Sequence, residues 1–159
     1  MNELGPMQTG RSRMDLQVWD TPFGDALLPS VALILDTHGD STVTAVVAPG
    51  GIDEYPKYLV RFSAVYAFNC EEEAGGTAYD GAFVGRQQHH VGCSYIWRDS
   101  PLAAGYAPSV PDMAFRGGQT PVVHYVLLGG DNAVGIVTAE LPTIEKIEGA
   151  RQLCLTYDV

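Results

Sequence analysis

Glycine and proline punctuate this chain from end to end, and that spacing limits what it can build. The 18 glycines and 10 prolines are spread throughout rather than pooled in one linker. Between them lie short runs rich in valine, isoleucine, tyrosine and phenylalanine, the pattern of strands separated by turns. The runs predict strands at 15–19, 31–36, 42–48, 58–69, 91–98, 122–128, 133–139 and 152–158. "THGD" at 37–40 and "GGDN" at 129–132 read as hairpin turns, since glycine and asparagine accept the positive φ that tight turns demand.

Strand parity sorts the residues further. In 122–128, Val123, Tyr125 and Leu127 share one face, while Val122, His124, Val126 and Leu128 share the other. Both faces are almost wholly apolar, so this hairpin is expected to lie centrally, covered on each side. The run 58–69 breaks its own alternation. Phe62, Val65 and Phe68 recur every third residue, which a flat strand cannot place on one face. A bulge or bend near Ser63–Ala64 restores the pattern. In "DSPLAAGY" a short helix is expected, with Ser100 as cap, Pro101 in the first turn and Gly105 as an early stop. "LPTIEKIEGARQ" is a second, weaker helix candidate. The predicted fold is mainly β: an antiparallel sandwich or rolled sheet with one or two short helices. Residues 1–13 read as a flexible leader and 14–159 as a single β-rich domain.

Composition narrows the function classes. The longest apolar runs fall well short of a membrane-spanning helix, and the leader lacks the apolar stretch of a secretory signal. A cytoplasmic location is therefore the expectation. Cys70, Cys93 and Cys154 are odd in number and widely spaced, which predicts reduced, mostly buried thiols rather than a disulfide framework. The formal charge is −10, and the lysines are Lys57 and Lys146 alone. Such a surface repels phosphate backbones and speeds encounter with a basic protein. It also keeps a protein soluble without any partner.

Metal chemistry has two candidate sites. In "RQQHHVGCSYIW" (86–97), adjacent positions send His89 and His90 to opposite faces of a strand. His89 and Cys93 share a face but stand about 13 Å apart along it, whereas two ligands of one zinc lie within roughly 4 Å. A site there requires a cross-strand recruit such as His124. The stretch "LILDTHGDS" at 33–41 looks like the first metal-binding element of calcineurin-like phosphoesterases, with Asp36 and His38 at a strand end. The later GD, GNH and GHxH elements of that family are absent, so one motif of four is what a turn rich in Asp, His and Gly gives by chance, and the stretch reads first as a solvated hairpin turn. Cys93, in "GCS", reads as a small buried hydrophobe. No Walker loop, GxGxxG, HExxH or GxSxG occurs, so no cofactor and no catalytic residue is assigned.

Phe62-x-x-Val65-x-x-Phe68, Glu72, Trp97-x-x-Ser100-x-Leu102, His124-Tyr125 and Pro142 together resemble a loosely defined group of small bacterial all-β proteins. Some members of that group resemble immunity proteins that neutralise secreted toxins. The resemblance spans roughly residues 58–142 and rests on packing and turn positions; it departs at Asn69, where an arginine is common, and at Gly135, where a charge is common. It implies a non-enzymatic domain acting by macromolecular binding. Three functions follow as expectations. In the first, Glu71, Glu72 and Glu73 meet a basic protein partner. The second is a small-molecule pocket between the sheets, rimmed by Tyr95, Trp97 and His124. The third is a metal-dependent hydrolase using Asp36, His38 and one of His89 and His90. The oligomeric state is left open.

Overall fold

The computed structural model describes residues 15–36, 42–72, 92–106 and 122–150. Nine strands and one helix follow along them: β1 (Leu16–Val18), β2 (Ser30–Asp36), β3 (Thr42–Ala48), β4 (Lys57–Phe62), β5 (Val65–Glu72), β6 (Ser94–Trp97), α1 (Pro101–Tyr106), β7 (Val123–Leu128), β8 (Asn132–Thr138) and β9 (Thr143–Ile147). They form a five-stranded sheet, β1-β6-β7-β8-β5, and a four-stranded sheet, β2-β3-β4-β9. Every pairing is antiparallel. The two sheets pack on one another as a β-sandwich, and among the described residues the strands form no closed barrel.

The interior follows from strand parity. Val43, Ala45 and Val47 of β3 and Tyr58, Val60 and Phe62 of β4 face Tyr125, Leu127, Val134 and Ile136 of the larger sheet. Trp19, just past β1, joins this layer, with its ring 4.7 Å from that of Tyr125 and 6.3 Å from that of Phe62. Fully burying a side chain such as Phe62, Leu127 or Ile136 stabilises the fold by about 1.5–3 kcal/mol each. The β7–β8 hairpin is central, as its two apolar faces predict: β6 and β5 flank it. Its second face carries a smaller cluster of Leu16, Tyr95, Val126 and Ala133, with Trp97 and Leu128 against it.

The run 58–69 is two strands rather than one bent strand. It breaks at Ser63–Ala64, where Ala64 has φ 48°, and the chain passes from the smaller sheet to the larger. The corner is fastened by the Thr138 hydroxyl, which donates to the Ser63 carbonyl at 2.5 Å, and by the Ala139 amide, which donates to the Ala64 carbonyl at 3.4 Å. The period of three in Phe62, Val65 and Phe68 has two sources: the chain changes sheets between Phe62 and Val65, and β5 shifts register between Val65 and Ala67, a bulge-like irregularity that resets the alternation before Phe68. Phe68, on the edge strand β5, stays exposed.

α1 begins as the sequence predicts. The Ser100 hydroxyl accepts the Ala103 amide at 3.2 Å, an N-cap bond. The second helix candidate is a correction: within 141–152 the chain forms β9, paired along β4 from Lys57↔Ile147 to Arg61↔Thr143. Thr143, Ile144 and Ile147 are β-branched, and the open edge of β4 supplies ladder partners that outweigh a marginal helical pattern. Ile147 is fully buried, and the Arg61 guanidinium bonds the Glu145 carboxylate at 2.7 Å across the pair. The predicted strand at 152–158, the turn at 37–40, His89, His90 and Cys154 lie outside the described residues.

Candidate functional site

Pairing of β6 with β7 places Trp97 directly opposite His124, and Tyr95 opposite Val126. The three residues named as pocket candidates therefore share one face, and the rings of Trp97 and His124 lie 5.1 Å apart. The location differs from the expectation in one respect. Tyr125 and Leu127 point between the sheets, so Tyr95, Trp97 and His124 occupy the opposite, outer face of the larger sheet, where α1 packs against β7. Parity was legible in the sequence; which face of β7 met the second sheet was not.

His124 is 2% exposed and Ser100 3%. The Ser100 Oγ and the His124 Nδ1 are 2.7 Å apart. The hydroxyl has one proton and two lone pairs, so it accepts the Ala103 amide and still exchanges a hydrogen bond with the imidazole. Burial pushes the His124 pKa down to about 4, which keeps the ring neutral at physiological pH. A serine against a histidine has the outline of a nucleophile and its base. Here the serine is engaged as a helix cap, and both groups are enclosed. The pair fastens α1 to β7.

Tyr95 is closed in as well: its hydroxyl donates to the Gly92 carbonyl at 3.1 Å, and burial raises its pKa. Trp97 is half-buried, and its indole N–H donates to the Asp99 carboxylate at 2.7 Å. Asp99 in turn accepts the Asp15 amide at 2.7 Å, which ties the start of β1 to the end of β6. Tyr66 of β5 stacks on Tyr106 at the end of α1, with centroids 5.7 Å apart.

Cys93 sits in the inter-sheet core. Its thiol donates to the Phe23 carbonyl at 3.4 Å, and desolvation pushes its pKa up to about 11. Of the two described thiols Cys93 is buried as expected, whereas Cys70 is exposed on β5, 3.6 Å from the Asn132 side-chain amide. Gly92 explains the entry to β6. It has φ 138°, and a Cβ there would stand 2.8 Å from the Gly24 carbonyl oxygen.

Glu71 and Glu72, the described part of the acidic run, are strand rather than the loop that the sequence suggested. Glu71 and Glu72 extend β5, opposite Ala133 and Asn132. As neighbours on a strand they face opposite sides of the sheet. Glu71 accepts the Asn69 side-chain amide at 3.0 Å, and Glu72 is exposed; Glu73 lies outside the described residues. Asp36 is exposed at the end of β2, and His38 lies outside the described residues. Among the described residues, no group of three or more His, Cys, Asp or Glu side chains is placed to hold a metal ion. No helix among them is long and apolar enough to cross a membrane.

The acidic end of β5 meets a surface that sequence reasoning passed over. The loop between β1 and β2 is fixed by Phe23, buried beneath it, by the Thr21 and Ser94 hydroxyls 2.9 Å apart, and by the Cys93 amide bonding the Gly24 carbonyl at 3.0 Å. Its far end, Leu27–Leu28–Pro29, lies against the β7–β8 turn, where the Gly130 amide donates to the Pro29 carbonyl at 2.9 Å. The Asn132 side chain then reaches the Val31 carbonyl at 2.9 Å. A pair of adjacent apolar residues between predicted strands is the only sequence signal for this surface.

Comparison with protein-family models, with curated proteins and with solved structures finds no match to this chain.

Proposed function

We propose that this β-sandwich is a non-enzymatic binding domain whose acidic surface engages a basic protein. The observation that carries the reading is the acidic end of the edge strand β5. Exposed Glu72 stands opposite Asn132 in the ladder, and exposed Asp131 is the next residue in the turn, on a chain of formal charge −10. An edge strand that ends in carboxylates resists pairing with other edges and offers negative potential to a positive partner. The enclosure of Ser100 and His124 supports a binding role over a hydrolytic one. Within this reading the resemblance to immunity-like proteins supplies the partner class, a basic toxin domain. The setting is the cytoplasm, where an exposed thiol such as Cys70 stays reduced. Nucleic acid, which shares the domain's charge sign, is not the partner.

The test is co-expression with the products of the flanking genes, followed by association kinetics of any complex recovered. The association rate is expected to fall by about tenfold or more between low and moderate salt, because exposed charges are screened beyond about 10 Å at 0.1 M. A salt-insensitive rate removes the electrostatic basis of the proposal.

A further inference from the structure

Leu27 and Leu28 are 69% and 77% exposed, side by side at the tip of the loop that precedes β2. Single exposed apolar residues are ordinary; this pair stands out by extent, since Ile34 and Leu35, adjacent on β2, are only 38% and 49% exposed. Leu28 also holds φ 74°, a left-handed backbone that leucine adopts only against a steric penalty. The support is firm: Pro29 is buried, and a Cβ added at Gly130 would stand 3.4 Å from the Leu28 carbonyl oxygen and 3.5 Å from its Cβ. Asp25 and Asp131, both exposed, lie in the same loop and in the adjoining turn, and Glu72 stands across the ladder from Asn132.

We infer that Leu27 and Leu28 are the apolar anchor of the docking surface, and that they enter a cleft flanked by lysine or arginine side chains on the partner. This rests on the binding reading above and names the contact that reading lacks. Charge selects the occupant. A rim of Asp25, Asp131 and Glu72 attracts a basic protein, opposes a second copy of this acidic chain, and is repelled by anionic lipid surfaces. The apolar centre within a charged rim matches the way interfaces divide their work, with desolvated anchors inside and steering charges outside.

The probe is a synthetic amphipathic helical peptide of leucine and lysine, compared with a scrambled peptide of the same composition and with oligolysine of equal charge. Binding to the full chain is read by fluorescence anisotropy and by amide shifts. The amphipathic peptide is expected to bind tightest and to shift the amides of residues 25–28 and 129–131. The double variant Leu27→Ser, Leu28→Asn is expected to weaken it by about tenfold, with an unchanged melting midpoint, since asparagine accepts the left-handed backbone. Equal affinity for the double variant, or for the scrambled peptide, overturns the anchor. If oligolysine still binds and Glu71→Gln with Glu72→Gln weakens it, the acidic reading survives without the leucines. If no basic probe binds, both fall. Concentration-dependent dimers in sedimentation velocity that the double variant abolishes would instead assign the surface to a second copy.

Discussion

The Ser100 hydroxyl and the His124 Nδ1 lie 2.7 Å apart in an enclosed site, joining the first turn of α1 to the central strand β7. One oxygen thereby serves both the helix cap and the histidine. Ser100→Ala removes two hydrogen bonds at once, and the combined cost is expected to be about 2–3 kcal/mol. Ser100→Thr keeps the hydroxyl and is expected to recover most of it. Urea denaturation followed by tryptophan fluorescence measures both, and a cost below about 0.5 kcal/mol for the alanine variant would show that the pair does not hold the helix.

The same enclosure fixes a pH dependence. The imidazole binds its proton near pH 6.5 in the unfolded chain but only near 4 in the folded one. Between those values the unfolded state carries more protons, so stability falls as the pH drops through that window. Above pH 6.5 this group contributes no slope. The full loss is about 3 kcal/mol by the proton linkage. Carboxylates titrate in part of the same range, so the measurement is the difference between the native chain and His124→Gln. The variant is expected to be less stable at pH 7 and to lose less on acidification to pH 4. Parallel curves would place the titration elsewhere.

Much of this architecture was legible in the sequence because local chemistry agreed with the fold. The β7–β8 hairpin has two apolar faces joined by a Gly-Gly-Asp-Asn turn, and the cap at Ser100 precedes a proline that favours a first helical turn. The break at Ser63–Ala64 announced itself as a fault in strand period, although a sequence cannot say that the chain changes sheets there. β9 was hidden because Ile144 and Ile147 are three apart among charges, which also suits one helical face. Only the open edge of β4 decides between the two. Residue type groups Tyr95, Trp97 and His124, yet the face that carries them depends on how the sheets stack. Leu27 and Leu28 passed unnoticed because exposure is a property of the packed molecule.

The corner at Ala64 makes a further test. With φ 48°, alanine sits where glycine is at ease and β-branched residues are not. Ala64→Gly is expected to change stability by less than about 1 kcal/mol, since relief of strain offsets the greater entropy of the unfolded chain. Ala64→Val is expected to cost about 2 kcal/mol or more. Thermal or urea unfolding separates them, and a neutral valine variant would contradict the strained corner.

The thiols should divide by place. Cys70 is exposed and should react with a small disulfide reagent in the native state. Cys93, buried and raised to about 11, should react only when the sheets separate. Peptide mapping after timed labelling assigns each site. Rapid modification of Cys93 in the folded protein would contradict its place in the core.

The passage of the chain from β4 to β5 also bears on how the molecule assembles. β2, β3 and β4 are consecutive and pair with their nearest neighbours, whereas β1 must find β6 and β5 must find β8 across long stretches of sequence. Loop-closure entropy opposes those distant pairings until other contacts repay it. The three-strand meander and the β7–β8 hairpin can therefore form early as templates, and the distant pairings of β1, β5 and β9 close afterwards. Substitutions at Val43 or Val60 should slow refolding, while one at Leu16 should chiefly hasten unfolding, a contrast that stopped-flow kinetics measures.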